Sequence, residues 1–160
     1  MTTTSTTVND NNTSTDLAIA PTTTNATVNL NNSSGNDTVT TDGTGAVTVN
    51  GNNSTGCDTI DIDNASTANV NLNNSTGSDS VDIEGAAGGT VNATVNDNNS
   101  SGGDSITING ATVTATVNLN NSTGKNDDVR AIRHVRSWQR PASYTTSYRP
   151  LCKSICYPLT

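Results

Sequence analysis

Short runs in which aliphatic and polar residues alternate recur along most of the chain. Ala68, Val70 and Leu72 alternate with asparagines, and after a polar bend Val81 and Ile83 alternate with serine and acidic residues. A period of two places every second side chain on the same side of an extended strand, and β-branched residues favour that conformation. The stretches between the runs are rich in Asn, Ser, Thr and Gly, which are typical of sharp bends. The pattern therefore predicts an all-β protein built from short, half-buried strands.

The alternating runs form a repeat. A fixed period of about 21 residues indicates an architecture in which each unit is completed by its neighbours. One unit carries only four or five aliphatic side chains, and burying them at about 1.5–3 kcal/mol each barely offsets the entropy of ordering the chain. We therefore expect residues 1–129 to form a β-solenoid of five or six rungs, each with two short strands. The equivalent valines are Val8, Val28, Val49, Val70, Val95 and Val117.

Two other structures are compatible with the same composition. A chain rich in Asn, Thr and Ser, with 2% aromatic residues and no Phe, is similar in composition to disordered sequences. A meander of antiparallel hairpins would use the same strands. The strict alternation favours an ordered chain. The consistent difference between the outward residues of the two strands favours the solenoid, because a meander would not require it. The narrow aliphatic core of a solenoid would also explain why Phe is missing.

The outward positions of the first strand repeat as well. Five of the six rungs read Thr-x-Asn-x-Asn, and the remaining rung has Asn69 in place of the threonine. Identical amides stacked about 4.8 Å apart form hydrogen-bonded ladders, so we expect asparagines to join the rungs. The glycines expected to turn the chain at the bends are Gly35, Gly56, Gly77, Gly102 and Gly124. The predicted repeat face consists of Thr27, Asn29, Asn31, Thr48, Asn50, Asn52, Asn71, Asn73, Thr94, Asn96, Asn98, Thr116, Asn118 and Asn120.

The bend after each first strand contains a second recurring motif. In "STGSDSVDI", Gly77, Asp79 and Val81 follow one another at intervals of two residues, and the same spacing begins at Gly35, Gly56 and Gly102. This motif resembles the nonapeptide of the hemolysin-type calcium-binding repeats of secreted bacterial proteins, which recurs every nine residues in that family and once per rung here. The resemblance implies weak Ca²⁺ sites, in which turn carbonyls and an aspartate hold the ion. The matching aspartates are Asp37, Asp58, Asp79 and Asp104.

The complete unit is also similar to the curli-fibre repeat, which places two strands and glycine- and asparagine-bearing bends in a similar length. Both resemblances cover residues 7–129 at most. They imply a β-solenoid belonging to a bacterial secreted or surface protein.

Charge divides the chain in two near Gly124. Residues 1–124 contain 12 Asp/Glu and no Lys or Arg, whereas residues 125–160 contain all seven Lys/Arg and two Asp, which gives the net charge of −7. An acidic repeat region repels nucleic acid and anionic membranes. No apolar run approaches the roughly 18 residues of a membrane-spanning helix. We therefore expect neither a nucleic-acid partner nor membrane insertion.

The repeats offer little for catalysis. Residues 1–124 contain no His, Lys or Arg, so a base for Ser/His/Asp or Cys/His chemistry is missing. Asp61 and Asp82 occupy the same outward position one rung apart, near the carboxylate separation of retaining glycosidases. No bend is long enough to build a cleft around them, so we expect a stacked carboxylate pair and a non-enzymatic protein.

The C-terminal segment, residues 130–160, differs from the repeats. It contains the single Trp, all three Tyr and the single His, and its arginines Arg130, Arg133, Arg136 and Arg140 fall at helical spacing. We expect a basic, aromatic-containing tail that is either disordered or non-native. The abrupt change in composition suggests that the repeat array was cut or read out of frame at this point.

Together these features predict a structural or adhesive module of an extracellular or cell-surface protein, stabilised by Ca²⁺ and engaged in self-association or in binding a surface ligand. Two alternatives follow from the same repeat. The Thr-x-Asn-x-Asn face resembles the ice-binding faces of β-solenoid antifreeze proteins. The uncapped ends of a solenoid would also suit the subunit of a self-assembling fibre.

Overall fold

The computed structural model describes residues 5–12, 18–19, 24–123 and 128–132 of the chain. These residues form twelve β-strands and no helix. Each strand is short, in keeping with the short alternating runs. The strands are β1 (Ser5–Asn9), β2 (Ala18–Ile19), β3 (Asn25–Asn29), β4 (Thr38–Asp42), β5 (Ala46–Asn50), β6 (Thr59–Asp63), β7 (Thr67–Asn71), β8 (Ser80–Glu84), β9 (Thr90–Asn96), β10 (Ser105–Asn109), β11 (Thr112–Asn118) and β12 (Asp128–Ile132).

The strands form two parallel sheets. Odd-numbered strands lie in one six-stranded sheet in the order β1-β3-β5-β7-β9-β11, and even-numbered strands lie in the other in the order β12-β10-β8-β6-β4-β2. Each rung therefore gives one strand to each sheet, and each strand pairs with its equivalents one rung away. All ten pairings between the described strands are parallel. This confirms the predicted β-solenoid and excludes the antiparallel meander.

The register follows the sequence repeat. Val28 lies beside Val49, and Val49 lies beside Val70, so the positions aligned in sequence are neighbours in space. One rung is longer than the others, because the corner at residues 85–89 adds residues between β8 and β9. The spacing from Val70 to Val95 is accordingly 25 residues instead of 21, and the strand pairing continues unbroken across it.

The core is a narrow aliphatic column between the two sheets. Side chains at alternate strand positions are buried, with Val49, Ile62 and Leu72 at 0% exposure. The cluster of buried hydrophobic residues contains Ala, Val, Leu and Ile and no aromatic residue. The alternating pattern of each strand thus encodes which side faces the core, since a shift of one residue would expose every aliphatic side chain.

Asparagine, rather than glycine, takes the left-handed backbone conformation at the bend after each first strand. The second member of every Asn-Asn pair has a positive φ, for example 60° at Asn53 and 61° at Asn74. The predicted bend glycines Gly35, Gly56, Gly77 and Gly102 do lie at bends of the chain, but none of them has the positive φ that was the reason for expecting glycine there. They are glycines because of crowding: a Cβ on Gly77 would lie 1.7 Å from the carbonyl oxygen of Gly56 in the preceding rung.

The last described strand, β12, pairs with β10 and extends to Ile132, three residues beyond the boundary predicted at residue 129. The rest of the predicted tail, residues 133–160, lies outside the described residues, as does Gly124. No helix in the described part of the chain is long and apolar enough to cross a membrane.

Candidate functional site

The outward side of the odd-numbered sheet, called here the first face, carries three parallel columns of asparagine. The strand ladder consists of the asparagines that end the odd-numbered strands. The edge ladder consists of the asparagines two residues further along the chain. The corner ladder consists of the asparagines that follow directly and have a positive φ. Their members are Asn9, Asn29, Asn50, Asn71, Asn96 and Asn118 (strand ladder), Asn11, Asn31, Asn52, Asn73, Asn98 and Asn120 (edge ladder), and Asn12, Asn32, Asn53, Asn74, Asn99 and Asn121 (corner ladder).

The strand and corner ladders are continuous from the first described rung to the last, and the edge ladder makes its last step through the backbone N–H of Asn120, which donates to the Oδ1 of Asn98. In the strand ladder the side-chain N–H groups donate to the next amide oxygen over 2.6–2.8 Å. In the corner ladder the same bond measures 3.1–3.2 Å. The predicted asparagine ladders are therefore confirmed, and a third column joins the two that the sequence predicted.

All three ladders run in the same direction. The Nδ2 of Asn50 donates to the Oδ1 of Asn29, and the Nδ2 of Asn71 donates to the Oδ1 of Asn50. The edge ladder fixes this direction twice, because the backbone N–H of Asn52 also donates to the Oδ1 of Asn31. Each amide therefore directs its N–H toward the preceding rung and its oxygen toward the following one.

The threonines of the predicted repeat face form a fourth column beside the strand ladder. Thr27 lies next to Thr48, and Thr94 lies next to Thr116. Asn69 interrupts the column between Thr48 and Thr94. The outward positions of the described odd-numbered strands contain no charged residue, so the first face is a neutral grid of hydroxyls and amides.

The four aspartates of the predicted calcium sites lie inside the bend, where they form a buried column. Their exposed fractions are 1% for Asp37, Asp58 and Asp104 and 2% for Asp79. The Oδ1 of Asp58, Asp79 and Asp104 each accepts the backbone N–H of the aspartate one rung earlier, at 3.0, 2.9 and 2.8 Å. Ser75 donates its hydroxyl to the Oδ2 of Asp79 at 2.7 Å. The column therefore works as a structural acceptor ladder in the bend.

Burial raises the pKa values of two aspartates in this column. Desolvation, reinforced by the charge of Asp79, raises the pKa of Asp58 from 3.8 to about 6. Desolvation, reinforced by the charge of Asp104, raises the pKa of Asp79 to about 6 as well. Stacked carboxylates removed from water favour the neutral form, so these side chains hold protons more tightly than free aspartate does.

The aspartate column is the predicted calcium site. Calcium takes six to eight oxygen ligands, usually several of them from carboxylates. Across the described ranges, no group of three or more His, Cys, Asp or Glu side chains is placed to hold a metal ion. Three of the four aspartates already direct one oxygen to a backbone N–H. Calcium binding at Asp37, Asp58, Asp79 and Asp104 stays a prediction.

The outward side of the even-numbered sheet, called here the second face, is acidic at its centre. Asp61 lies beside Asp82 in the strand register, as the sequence predicted, and Asp63 lies beside Asp42. Desolvation and then the neighbouring carboxylates raise the pKa values of Asp61, Asp63 and Asp82. The two faces therefore differ in charge although they share one core.

Two further features were not predicted from the sequence. Serines preceding the aspartates are buried in the same bend, with Ser54 and Ser75 at 0% exposure. Asp97 is also at 0% exposure and takes the place that Leu72 occupies one rung earlier, where its Oδ1 accepts the hydroxyl of Ser100. The recurrence of serine two residues before each bend glycine was the available signal for the serine column. The signal for Asp97 was its alignment with Leu30 and Leu72, which marks an inward position that a carboxylate does not usually occupy.

A shallow depression of about 300 Å³ lies beside the long corner, between residues 84–88 and 109–111. Its lining consists of glycines and alanines, with Glu84 and Asn109 as the polar side chains.

No protein-family model, curated protein or solved structure matches the chain.

Proposed function

We propose that the protein is a non-enzymatic structural or adhesive module that acts as a stiff rod in an extracellular or cell-surface protein. The observation that carries this proposal is the unbroken run of asparagine ladders from rung to rung, 2.6–2.8 Å at each step of the strand ladder. These side chains hold the rungs together on the outside, while the aliphatic column holds them on the inside. The extracellular location rests on the resemblance of the bend motif to that of secreted bacterial repeats.

A stiff rod fixes the distance between its ends, and spin labels measure that distance. Cysteines replacing Ser5 on β1 and Thr114 on β11 lie five rung steps apart in the register, which corresponds to about 24 Å. The native cysteines are changed to serine beforehand. We expect one narrow distance distribution from pulsed electron resonance. A broad distribution in buffer, resembling that in denaturant, would contradict a rigid structural role.

Calcium stabilisation is part of the same proposal. The supporting observation is a column of buried carboxylates whose charges repel one another. A bound cation would reduce this repulsion. Melting of the full chain in calcium and in excess chelator tests it, with magnesium as the control cation. A melting temperature that is the same in all three conditions would leave hydrogen bonding alone as the role of the four aspartates.

Ice binding is the second candidate, and the neutrality of the first face favours it. Thr27 and Thr48 are in register, as are Thr94 and Thr116, so hydroxyls repeat about 4.8 Å apart across the sheet. The expected result is thermal hysteresis that is lost in Thr94→Tyr and retained in Thr107→Tyr, which alters the second face. Ice growth unaffected by the wild-type protein would exclude this function.

A further inference from the structure

The hydrophobic core is incompletely covered at the two ends of the solenoid. Three hydrophobic side chains packed against the core are only partly buried, namely Val8, Leu119 and Val129. Val8 lies on β1 in the first rung, whereas Leu119 and Val129 belong to the last one. In the middle rungs the equivalent side chains Val49 and Leu72 are at 0% exposure. A further rung placed on either end would bury the remaining apolar surface.

The backbone hydrogen bonds at the bend leave different groups unpaired at the two ends of the stack. Asp10 and Asn12 donate their N–H groups to the carbonyl oxygens of Asn29 and Asn31, at 2.8 and 3.0 Å. The same two bonds recur at every step, up to those from Asp97 and Asn99 to Asn118 and Asn120, at 2.9 and 2.8 Å.

In the last rung, the equivalent N–H groups belong to Leu119 and Asn121, which find no acceptor among the described residues. By the same geometry, the carbonyl oxygens of Asn9 and Asn11 in the first rung point away from the stack. At these bend positions the last rung therefore presents unpaired backbone donors, and the first rung presents the acceptors that match them.

The ladder amides also leave different groups unpaired at the two ends of the stack. Because every ladder N–H is directed to the preceding rung, the amide N–H groups of Asn9 and Asn12 point outward from the first rung, and the amide oxygens of Asn118 and Asn121 point outward from the last. Each donor on one end thus corresponds in position to an acceptor on the other. Two first-rung ends brought together would instead place the outward amide donors of Asn9 and Asn12 on both sides of the junction.

We infer that the partner of these ends is a second copy of the same chain, stacked head to tail. In this arrangement β11 of one copy pairs in parallel with β1 of the next, and Asn9 of the next copy takes the position beside Asn118 that Asn29 takes beside Asn9 within one chain. The strand, edge and corner ladders then continue across the junction, and Leu119 and Val8 become buried. Edge strands with unpaired backbone groups recruit further strands in this way.

This inference rests on the proposed structural role and extends it by naming the partner. The protein carries a net charge of −7, so association opposes the mutual repulsion of the copies. Salt screens that repulsion, and we expect growth to be stronger at high ionic strength.

Sedimentation velocity of the full chain under reducing conditions, at about 1–200 μM and at low and high salt, tests the inference. We expect species that lengthen with concentration while keeping the frictional behaviour of a thin rod. A single monomeric species at every concentration would overturn the inference. If circular dichroism of that monomer still shows a β-spectrum with a cooperative melt, the structural role survives and only the head-to-tail partner is lost.

Two asparagine variants test the polarity with the same chemical change. Asn9→Asp retains the oxygen that accepts the N–H of Asn29 but replaces the outward donor with a carboxylate facing the oxygen of Asn118. We expect growth to need a concentration at least about tenfold higher, with an unchanged melting temperature. Asn118→Asp removes the internal donor to Asn96 and keeps the outward acceptor, so it should lower the melting temperature and still associate.

A third variant acts on the backbone. Thr7 lies two residues before Asn9 on β1, so its N–H also points away from the stack, and Thr7→Pro removes that donor without removing a bond to β3. Monomers in both Asn9→Asp and Thr7→Pro would support the inference. Growth of both variants at wild-type concentrations would overturn it, because the interface would then lie elsewhere.

Discussion

At the residue scale, the Asn-Asn pair performs two separate functions in each rung. Asn52, the first member, extends the edge ladder with both its side chain and its backbone N–H. Asn53, the second member, has a φ of 60° and turns the chain while its amide joins the corner ladder. Asn is the residue that suits both functions, because it tolerates the left-handed conformation and carries a donor and an acceptor on one side chain.

The bend glycines should be the positions least tolerant of substitution. Gly77→Ala places a Cβ 1.7 Å from the oxygen of Gly56, and neither backbone can move without breaking the rung stack. We expect a loss of at least about 3 kcal/mol in the free energy of unfolding, or failure to fold. At Gly51 the nearest atom to an added Cβ is the flexible end of Leu72, 3.0 Å away, so Gly51→Ala should cost about 1 kcal/mol or less. Urea denaturation of both variants would check the contrast, and equal losses would contradict it.

The buried aspartate column predicts that acid stabilises the fold. The folded-state pKa values of Asp58 and Asp79, about 6, lie above the ordinary value of 3.8. Between about pH 4 and 6 the folded chain thus holds more protons than the unfolded chain, and the free energy of unfolding falls as the pH rises through this window. The expected loss is roughly 1–3 kcal/mol for each carboxyl group. Melting temperatures from pH 4.5 to 8 measure it.

The variant Asp58→Asn tests whether the pH dependence comes from the buried column or from the other carboxylates of the chain. An amide oxygen can still accept the N–H of Asp37, but the side chain no longer titrates, so the pH dependence should flatten. Asp42→Asn, on the exposed second face, controls for the loss of one negative charge. A pH profile altered equally by the two variants would mean that the general acidity of the chain, and not the buried column, causes the effect.

At the element scale, each strand is too short to be stable alone and depends on its neighbours above and below. A strand such as β5 has five residues and buries two valines. Its pairing with β3 and β7 supplies parallel backbone bonds, and the ladder amide Asn50 adds one bond in each direction, both 2.8 Å. Sheet pairing and ladder bonding thus act at the same place in every rung.

The strand ladder should contribute measurably to stability. Asn50→Ala removes two side-chain hydrogen bonds and should cost about 1–3 kcal/mol. Asn69→Ala is the matched control, because Asn69 lies on the same face between Thr48 and Thr94 and makes no side-chain ladder bond among the described residues. We expect its cost to be within about 0.5 kcal/mol. Similar melting temperatures for the two variants would show that the ladders do not stabilise the stack.

At the scale of the whole molecule, the fold is a one-dimensional stack in which each rung contacts mainly the rungs above and below it. The core is a column that runs along the stack between the two sheets. The first face is neutral and the second face is acidic at its centre. Stability in such an architecture is close to a sum of rung and interface contributions. The number of rungs can therefore change without changing the fold.

Removal of one complete rung should preserve the structure. Deleting Gly51–Asn71 takes out 21 residues and joins Asn50 to Leu72, so every later strand keeps its sheet and its register. We expect a β-spectrum, a cooperative melt at a lower temperature and a rod shorter by about 4.8 Å. Deleting Gly51–Ile60 removes about half a rung and moves the later strands to the opposite sheet. Folding of both deletions would mean that the ladders do not fix the register.

The sequence by itself determined the period, the two strands per rung, the inward and outward positions and the asparagine ladders. These features are local or repeat at a fixed interval, so a single chain displays them directly: the alternation at Val70 and Leu72 specifies a side, and the spacing specifies the neighbour.

Only the tertiary structure decided which bend residues are buried and why. In sequence Asp79 matches the calcium-ligand position of a turn motif, and only the structure shows that the stack encloses it and gives its oxygen a backbone donor from the rung before. Gly77 looks like a residue chosen for its backbone freedom, yet its requirement comes from a carbonyl oxygen 21 residues away in the chain and 1.7 Å from where its Cβ would lie. Both facts depend on the distance between rungs, and that distance exists only once the rungs are stacked.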